Sequence, residues 1–123
     1  MLRFYAYTGC DGCRKARRWL QGNNVAFKEI AIREQPPTLS ELEQALKAKG
    51  SVKPLFNTSG VDYRQSGMKD KLPRLTTAEA LACLTGNGNL VKRPFLIDSA
   101  QGISLVGFKE NEWFDALQTQ FSG

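Results

Sequence analysis

The sequence predicts an α/β fold whose elements follow one another as β-α-β, a helical insertion, and then β-β-α. An apolar run at residues 2–7, a basic amphipathic stretch and a second apolar run at residues 25–30 form the pattern of a strand, a helix and a strand. Two further apolar runs, at residues 95–98 and 103–106, flank a polar turn and are typical of a hairpin. Between these groups, residues 36–86 show helical spacing and helix-capping residues.

Length and composition predict a single soluble globular domain. The chain has 123 residues, of which 41% are hydrophobic and 24% are charged. We expect one domain over residues 1–123, in which residues 1–32 and 90–123 form the core and residues 36–86 form the helical insertion. No window is long and apolar enough to span a membrane, and the N-terminus lacks the pattern of a signal peptide. We therefore expect a cytoplasmic protein with no membrane partner.

The charge balance limits the chemistry and the partners of the chain. A net charge of +5 permits contact with acidic partners, including nucleic acid, but does not require it. The sequence contains no direct nucleic-acid-binding motif. It also contains no His, the commonest general base, so acid–base steps would fall to Lys, Asp, Glu, Cys or water.

The first strand, helix and strand are predicted at residues 2–7, 11–21 and 25–30. The helix has an apolar stripe of Ala16, Trp19 and Leu20. Its solvent face is basic, with Arg14, Lys15, Arg17 and Arg18. Because Gly22-Asn23-Asn24 ends the helix before the next strand, we expect a right-handed parallel crossover.

The insertion is predicted to begin after Pro36-Pro37 with a helix capped by Thr38, which forms a capping box with Glu41. This helix runs to about Lys49 and is closed by Gly50. Its predicted apolar positions are Leu39, Leu42, Ala45 and Leu46.

The remainder of the insertion is predicted as turns anchored by Leu55 and Phe56, then short helical pieces over residues 61–75 around Tyr63 and Met68. Thr76 or Thr77 caps a further helix. The predicted inner face of that helix consists of Ala78, Leu81, Ala82 and Leu84. Cys83 is predicted to be a buried, inert thiol, and residues 86–89 a loop.

The C-terminal part is predicted as a strand at 95–98, a turn at 99–102, a strand at 103–106 and a last helix from about Lys109 to Phe121. The predicted core residues of that helix are Trp113, Phe114, Leu117 and Phe121.

Reactive chemistry is concentrated in Cys10-Asp11-Gly12-Cys13, at the start of the first helix. Unpaired backbone amides and the helix dipole favour a thiolate there, so we expect a lowered pKa for Cys10. Arg14, Lys15 and Arg17 add nearby positive charge, and Gly9 and Gly12 leave the first sulfur open.

A strand, a Cys-x-x-Cys motif and a helix, in that order, are the thioredoxin-like redox signature. We expect no metal site, because zinc takes four ligands and only Cys83 remains as a third soft ligand. An odd number of cysteines without a signal peptide disfavours a structural disulfide. An inherited pair that is no longer used remains an alternative.

In three stretches the sequence resembles the arsenate reductase-related family of the thioredoxin-like superfamily. These stretches are residues 7–16, residues 90–96, and residues 105–110 followed by Trp113. That family includes glutaredoxin-dependent arsenate reductases, the Spx and MgsR regulators and the YffB-like proteins. The resemblance implies a thioredoxin- or glutaredoxin-like core with a helical insertion after the second strand.

The resemblance also implies the residues of a site. Cys10 and Cys13 would be the catalytic pair, and Arg93, Pro94 and Gly12 would bind substrate. The peptide bond before Pro94 would be cis and face Cys10, with the Arg93 guanidinium pointing toward the sulfur. No bound metal or cofactor is implied, and glutathione would serve as the reductant.

The chain departs from the arsenate reductases of that family at several positions. Those enzymes have one active Cys in a Cys-Gly-Thr-Ser-Arg loop with a His shortly before it, whereas Ala6 or Tyr7 stands in that neighbourhood here. They hold the oxyanion with three arginines, of which only Arg93 has a clear counterpart. Whether Arg64, Arg74 or Lys92 joins the site is left open.

Three functions therefore remain open. The first is a glutaredoxin-like thiol–disulfide redox protein that works with glutathione or with a glutaredoxin- or thioredoxin-type protein. The second is a glutathione- and glutaredoxin-dependent arsenate reductase. The third is an Spx-like redox-sensing regulator that binds the C-terminal domain of the RNA polymerase alpha subunit, with Gly60 as a candidate contact.

Overall fold

The computed structural model describes residues 1–121, and Ser122 and Gly123 lie outside the described residues. Its strands and α-helices follow the predicted order, which confirms the α/β class. They are β1 (Leu2–Ala6), α1 (Asp11–Gly22), β2 (Phe27–Ala31), α2 (Leu39–Lys49), α3 (Val61–Gln65), α4 (Met68–Lys71), α5 (Thr77–Gly86), β3 (Phe95–Asp98), β4 (Ile103–Val106) and α6 (Glu110–Leu117). Short 3₁₀ turns cover Lys53–Leu55, Leu72–Arg74, Gly88–Leu90 and Gln118–Gln120.

The chain forms two compact units. The first consists of Met1–Ile30 and the chain from Arg93 onward, and the second consists of Ala31–Lys92. The assignment of residues 1–123 to one domain, with the core and insertion boundaries given above, stays a prediction.

A four-stranded sheet in the order β2-β1-β3-β4 organises the first unit. β1 pairs antiparallel with β3, with Phe4 opposite Leu96 and Tyr5 opposite Phe95. β3 pairs antiparallel with β4, with Phe95 opposite Val106. β1 therefore lies inside the sheet, and the loop that follows it begins near the start of β3. The predicted right-handed parallel crossover between β1 and β2 stays a prediction.

The core of the first unit joins the sheet to α1 and α6. Its buried members are Leu2, Phe4, Ala6, Cys13, Ala16, Leu20, Val25, Leu96, Ile103, Trp113 and Leu117. Two contacts fix the side chain of Trp113. Its ring packs edge-on against Phe108, with the ring centroids 4.9 Å apart, and its Nε1 donates a hydrogen bond to the carbonyl of Gly107 at 2.9 Å. Burial of these side chains is the main stabilising contribution to the unit.

The predicted bounds of α6, β1 and β2 and the predicted buried face of α6 need correction. α6 ends at Leu117 and continues as a 3₁₀ turn, rather than running as one helix to Phe121. Phe114 was predicted to be core but is 49% exposed. Trp113 and Leu117, one helical turn apart, define the buried stripe and leave Phe114 on the neighbouring face. β1 ends at Ala6, and β2 begins at Phe27 rather than at residue 25.

A buried carboxylate closes the hairpin between β3 and β4. Asp98 accepts hydrogen bonds from the backbone amides of Ala100 (3.1 Å) and Gln101 (3.3 Å) and from Nε2 of Gln101 (2.8 Å). The N-terminal ammonium of Met1 lies 3.6 Å from Oδ2. Burial alone would raise the pKa of Asp98, but the Gln101 hydrogen bonds and the ammonium outweigh it and hold the pKa below its ordinary value.

In the second unit, capping residues mark the helix ends at the positions that the sequence predicted. In α2, Thr38 N donates to Glu41 at 2.9 Å and Glu41 N donates to Thr38 Oγ1 at 3.2 Å, which completes the predicted capping box. Gly50 closes α2 with a φ of 83°. Thr76 caps α5 and forms a second capping box with Glu79. Local chemistry thus specifies where both helices begin.

Three burial predictions for this unit were wrong. Leu39 lies in the first turn of α2 and is 51% exposed, and Glu41 is buried instead because its carboxylate completes the cap. In α5, Ala78 and Ala82 are exposed, and the inner face consists of Ala80, Leu81 and Leu84. Cys83 is half-buried rather than buried.

Gly88 fills a position at which the second unit allows no side chain. A Cβ there would lie 1.8 Å from the carbonyl oxygen of Ile32 and 2.8 Å from its carbonyl carbon. Within the predicted loop at residues 86–89, Gly86 ends α5 and Gly88 begins the 3₁₀ turn Gly88–Leu90, which packs directly on another segment of backbone.

Candidate functional site

Cys10 is the residue that caps α1. Its backbone is extended, with φ −96° and ψ 121°, and its sulfur accepts a hydrogen bond from the backbone amide of Cys13 at 3.3 Å. The sulfur stands where the oxygen of a Ser, Thr or Asp cap would normally stand. Cys10 is half-buried and its thiol is free. The predicted placement of Cys10 at the start of the first helix is confirmed.

Cys13 lies one turn further into α1, and its side chain is completely buried. Burial, followed by the hydrogen bond with the Cys10 side chain, raises the pKa of the Cys13 thiol from 9.0 to about 12. A backbone hydrogen bond from Tyr7 and the positive charge of Arg93 act in the opposite direction but are outweighed. Cys13 is therefore a protonated thiol at neutral pH.

Gly12 and Pro94 meet at the sulfur of Cys10. A Cβ placed on Gly12 would lie 3.8 Å from Cδ of Pro94 and 3.9 Å from Sγ of Cys10. The Arg93–Pro94 peptide bond is cis, as the resemblance implied, and the Pro94 carbonyl accepts a hydrogen bond from the Gly107 amide at 2.8 Å. The structure brings these predicted residues together, while their role in binding substrate stays a prediction.

Arg93 presents an unsatisfied donor in the same unit. Its guanidinium lies over the ring of Tyr7, with Cζ 5.3 Å from the ring centroid. Its Nη1 is buried and has no hydrogen-bond partner within the part of the chain that the structure describes. A buried charged donor without an acceptor is costly, so the surroundings of Arg93 must hold its guanidinium in this position.

Tyr7 is the residue of this site whose role the sequence did not reveal. It was predicted as the end of the first strand, but β1 stops at Ala6 and Tyr7 enters the cysteine loop. Its carbonyl accepts a hydrogen bond from the Cys10 amide at 3.1 Å, and its ring lies against Gly9. The available signal was an aromatic residue immediately before a Thr-Gly turn.

The basic residues of α1 are less free than their sequence pattern suggested. Arg14 forms an ion pair with Asp11, and Arg17 pairs with Glu29 through two hydrogen bonds of 2.7 Å and 2.6 Å. The Glu29 hydrogen bonds raise the pKa of Arg17. Carboxylates thus offset two of the three cations expected to stabilise a thiolate at Cys10, and Lys15 is exposed.

The remaining candidates belong to the second unit. Arg64 lies on α3 and donates to the carbonyl of Ser59 at 3.2 Å, and Arg74 ends the 3₁₀ turn Leu72–Arg74. Lys92 donates its backbone amide to Leu55 at 2.8 Å. Their participation in the site stays a prediction.

Gly60 precedes α3 with an ordinary φ of −79°. A side chain at this position would be crowded, because a Cβ would lie 2.7 Å from Nδ2 of Asn57.

A metal-ligand cluster and a membrane-spanning helix are both absent from residues 1–121. No three His, Cys, Asp or Glu side chains in that range come together as metal ligands. In the same range, none of the helices has the length and apolarity to cross a bilayer.

The sequence and the structure of this chain are both similar to those of known proteins. A model of the ArsC family matches residues 5–116. The uncharacterized protein YusI of Bacillus subtilis is 41% identical over 91% of this chain and 94% of its own length. The global transcriptional regulator Spx 1 of Lactococcus lactis is 33% identical over 91% of this chain and 85% of its own length.

Among solved structures, a possible arsenate reductase from Streptococcus mutans superposes with a TM-score of 0.84 and 37% identity. The superposition covers 94% of this chain and 98% of that one. The thioredoxin-like fold implied by the three sequence stretches is confirmed, and so is the resemblance that they carried. The match covers nearly the whole chain, and the protein therefore belongs to the ArsC family.

Proposed function

We propose that this protein is a glutaredoxin-like thiol–disulfide redox protein in which Cys10 is the nucleophile and Cys13 the resolving thiol. The observation that carries the proposal is the difference between the two thiols. Cys10 is half-buried, and its sulfur accepts a hydrogen bond from the backbone amide of Cys13. Cys13 is completely buried, and its pKa of about 12 keeps its proton in place.

The reaction would proceed by two exchanges. The Cys10 thiolate attacks one sulfur of a substrate disulfide, so a mixed disulfide forms and the other substrate sulfur leaves as a thiolate. Cys13 then loses its proton and attacks the Cys10 sulfur. The Cys10–Cys13 disulfide forms, and the second substrate sulfur leaves and takes up a proton. The substrate gains the two electrons that the dithiol loses.

The mixed disulfide would itself activate Cys13. Once Cys10 is bonded to substrate it no longer carries charge, so its repulsion of a Cys13 thiolate disappears. The Tyr7 amide and Arg93 continue to favour the Cys13 thiolate, while burial still opposes it. This order of events requires no His, which the chain lacks.

Gly12, Pro94 and Arg93 would bind the substrate around Cys10. Gly12 and Pro94 leave space beside the sulfur, and the half-buried Arg93 offers a cationic group to a carboxylate or a leaving thiolate. We propose glutathione, or a glutaredoxin- or thioredoxin-type protein, as the reductant that returns the disulfide to the dithiol. Because such reductants are cytoplasmic, we propose that compartment.

The test is a titration of the reduced protein across glutathione redox buffers, read by intact mass and free-thiol count in a Cys83→Ser background. We expect a reversible decrease in mass by two hydrogen atoms, as a disulfide forms, with a potential of roughly −220 to −320 mV. Cys13→Ser should instead accumulate a glutathione adduct at Cys10, and Cys10→Ser should do neither. Absence of both the disulfide and the adduct at every glutathione redox potential tested would overturn the proposal.

Arsenate reduction is a second candidate because Arg93 places a cation at the cysteine pair, where its charge acts on Cys13. It is the weaker candidate, since a single charge-assisted contact contributes only about 1.5–3 kcal/mol. The test is arsenate-dependent oxidation of NADPH in a coupled assay with glutathione and a glutaredoxin. A single-cysteine mechanism predicts that Cys13→Ser keeps activity, whereas no turnover at any arsenate concentration excludes the candidate.

A regulatory role is the third candidate, supported by 33% identity to a global transcriptional regulator. In this case the cysteine pair would be a redox switch, and the partner would be the C-terminal domain of the RNA polymerase alpha subunit. The test is a pull-down with purified alpha subunit, using the reduced and the oxidised protein in parallel. Failure to recover the subunit with either form excludes it.

A further inference from the structure

We propose that Tyr7 is a positioning residue whose ring holds the guanidinium of Arg93 at the cysteine pair, where its positive charge acts on the reacting thiols. The inference rests on the proposed function, because it concerns the same site. It assigns a task to a residue that does not itself react.

The first support is the contact between the two side chains. The Arg93 guanidinium carbon lies 5.3 Å from the centroid of the Tyr7 ring, within the range of a cation–π interaction. An arginine side chain has many rotamers, so an arginine held over a ring loses less freedom when it binds a ligand. The contact is with the aromatic ring and leaves Nη1 without a hydrogen-bond acceptor among the described residues.

The second support is that the backbone of Tyr7 is tied to both cysteines. Its carbonyl accepts the Cys10 amide hydrogen at 3.1 Å, and its amide donates to the Cys13 side chain. The ring is therefore fixed relative to the two sulfurs. An arginine resting on that ring is placed relative to them as well.

The third support is the space that the loop leaves for the ring. A Cβ on Gly9 would lie 2.6 Å from Cε2, 3.1 Å from Cζ and 3.2 Å from Oη of Tyr7. The ring can occupy its observed position only because residue 9 has no side chain. Gly9 thus acts on Arg93 through Tyr7.

The fourth support is the unpaired donor itself. Nη1 of Arg93 is buried without a hydrogen-bond partner among the described residues. A mobile arginine would turn such an atom toward water or a carbonyl. Its retention in an unpaired position indicates that the surroundings, including the Tyr7 ring, hold the guanidinium in place.

The experiment measures the charge that Cys10 experiences. Alkylation rates of Cys10 are determined with iodoacetate, which is anionic, and with iodoacetamide, which is neutral, in a Cys83→Ser background at one pH. The ratio of the two rates cancels changes in the thiolate fraction and in nucleophilicity. It therefore reports the local positive charge, which a merely structural role of Tyr7 would not alter.

Arg93→Gln is expected to lower the iodoacetate-to-iodoacetamide ratio about threefold to tenfold, because one nearby cation is removed. Tyr7→Leu should lower the ratio to a similar level, while Tyr7→Phe, which keeps the ring, should leave it unchanged. The double variant should fall no further than Arg93→Gln alone, since both changes remove the same effect.

Gly9→Ala provides a second way to move the ring while keeping Tyr7. It should lower the ratio as Tyr7→Leu does. Gly22→Ala, at the other end of α1 where a Cβ would meet no atom within 4 Å, should leave it at the wild-type value. This pair tests the proposal even where Tyr7→Leu does not fold, which thermal unfolding would reveal.

Two results would overturn the proposal. One is an unchanged ratio in Arg93→Gln, which would mean that Arg93 does not act at Cys10. The other is a lowered ratio in Arg93→Gln together with wild-type ratios in both Tyr7→Leu and Gly9→Ala. Failure of the proposed function is distinguishable, because it appears as the absence of a disulfide and adduct in the glutathione titration and does not affect the alkylation ratio.

Discussion

The backbone amide of Cys13 donates a hydrogen bond to the sulfur of Cys10 over 3.3 Å, while the side chain of Cys13 is completely buried. One residue thus stabilises the reactive sulfur with its main chain and contributes its side chain to the core. The spacing of three residues produces this arrangement, because it joins the cap of a helix to the third residue of the first turn. The two thiols should therefore respond differently to pH and to reagents.

Stability of the reduced protein should fall above pH 9 because of Cys13. Its pKa is 9.0 when unfolded and about 12 when folded, so the folded state retains a proton that the unfolded state releases between these values. The contribution is fully present below pH 9 and is lost as the pH rises toward 12. At pH 10.5 the loss should be about 2 kcal/mol, measured by urea unfolding at pH 8 and pH 10.5.

Cys13→Ala supplies the control for this prediction. It should lose less stability than the parent protein over the same interval, since the remaining titrating groups are shared. Equal losses in the two proteins would show that burial of Cys13 does not disfavour its thiolate.

Gly12→Ala should slow the reaction of Cys10 with large disulfides without destabilising the fold. The new methyl group would sit in ordinary contact with Pro94 Cδ and Cys10 Sγ, at 3.8 Å and 3.9 Å, and would cover part of the sulfur. Stability should stay the same or rise by up to about 1 kcal/mol, because Ala is the better helix former. The rate with glutathione disulfide should fall several-fold, and more than the rate with iodoacetamide. A parallel fall in Gly22→Ala would contradict the steric explanation.

Gly88→Ala should destabilise the protein by about 1–3 kcal/mol or more, because its Cβ would lie 1.8 Å from the Ile32 carbonyl oxygen and backbone would have to move. Gly86→Ala, two residues earlier and with no atom within 4 Å of the new Cβ, should be nearly neutral. Thermal and urea unfolding of the two variants measure the difference. Equal stability would mean that the 3₁₀ turn relaxes away from Ile32.

Asp98→Asn should destabilise the β3–β4 hairpin by about 1–3 kcal/mol at neutral pH, because charge-assisted hydrogen bonds are lost. The folded pKa of Asp98 lies below its ordinary value of 3.8, so its contribution is present above that value and is lost as the pH falls through the folded pKa. Acid unfolding should therefore be less steep in Asp98→Asn than in the parent. An identical acid profile would show that Asp98 does not contribute in this way.

The features that the sequence predicted well depend on residues close together along the chain. Thr38 with Glu41, and Thr76 with Glu79, specify helix starts within three residues, and the hairpin bounds follow from apolar runs around a turn. The cysteine pair belongs to this class, because its placement needs only the start of α1.

The features that the sequence did not reveal depend on distant residues. The pair of Arg17 with Glu29 spans 12 positions, and the contact of Arg93 with Tyr7 joins residues far apart in the chain. Phe114 has the same apolar character as Trp113, and only packing decides which ring is buried. Composition and periodicity carry no information about these choices.

The different depths of the two cysteines have a consequence for how the protein would select its reactants. Because Cys13 is buried in the core, Cys10 is the member of the pair that would open an incoming disulfide under the proposed function. A tripeptide, or a disulfide displayed on a projecting loop, can reach that point, whereas a cystine recessed within another folded domain cannot approach it. Under the proposed function, the protein would therefore react only with disulfides that are exposed on their own molecule. This selection would not depend on the residues that surround the disulfide.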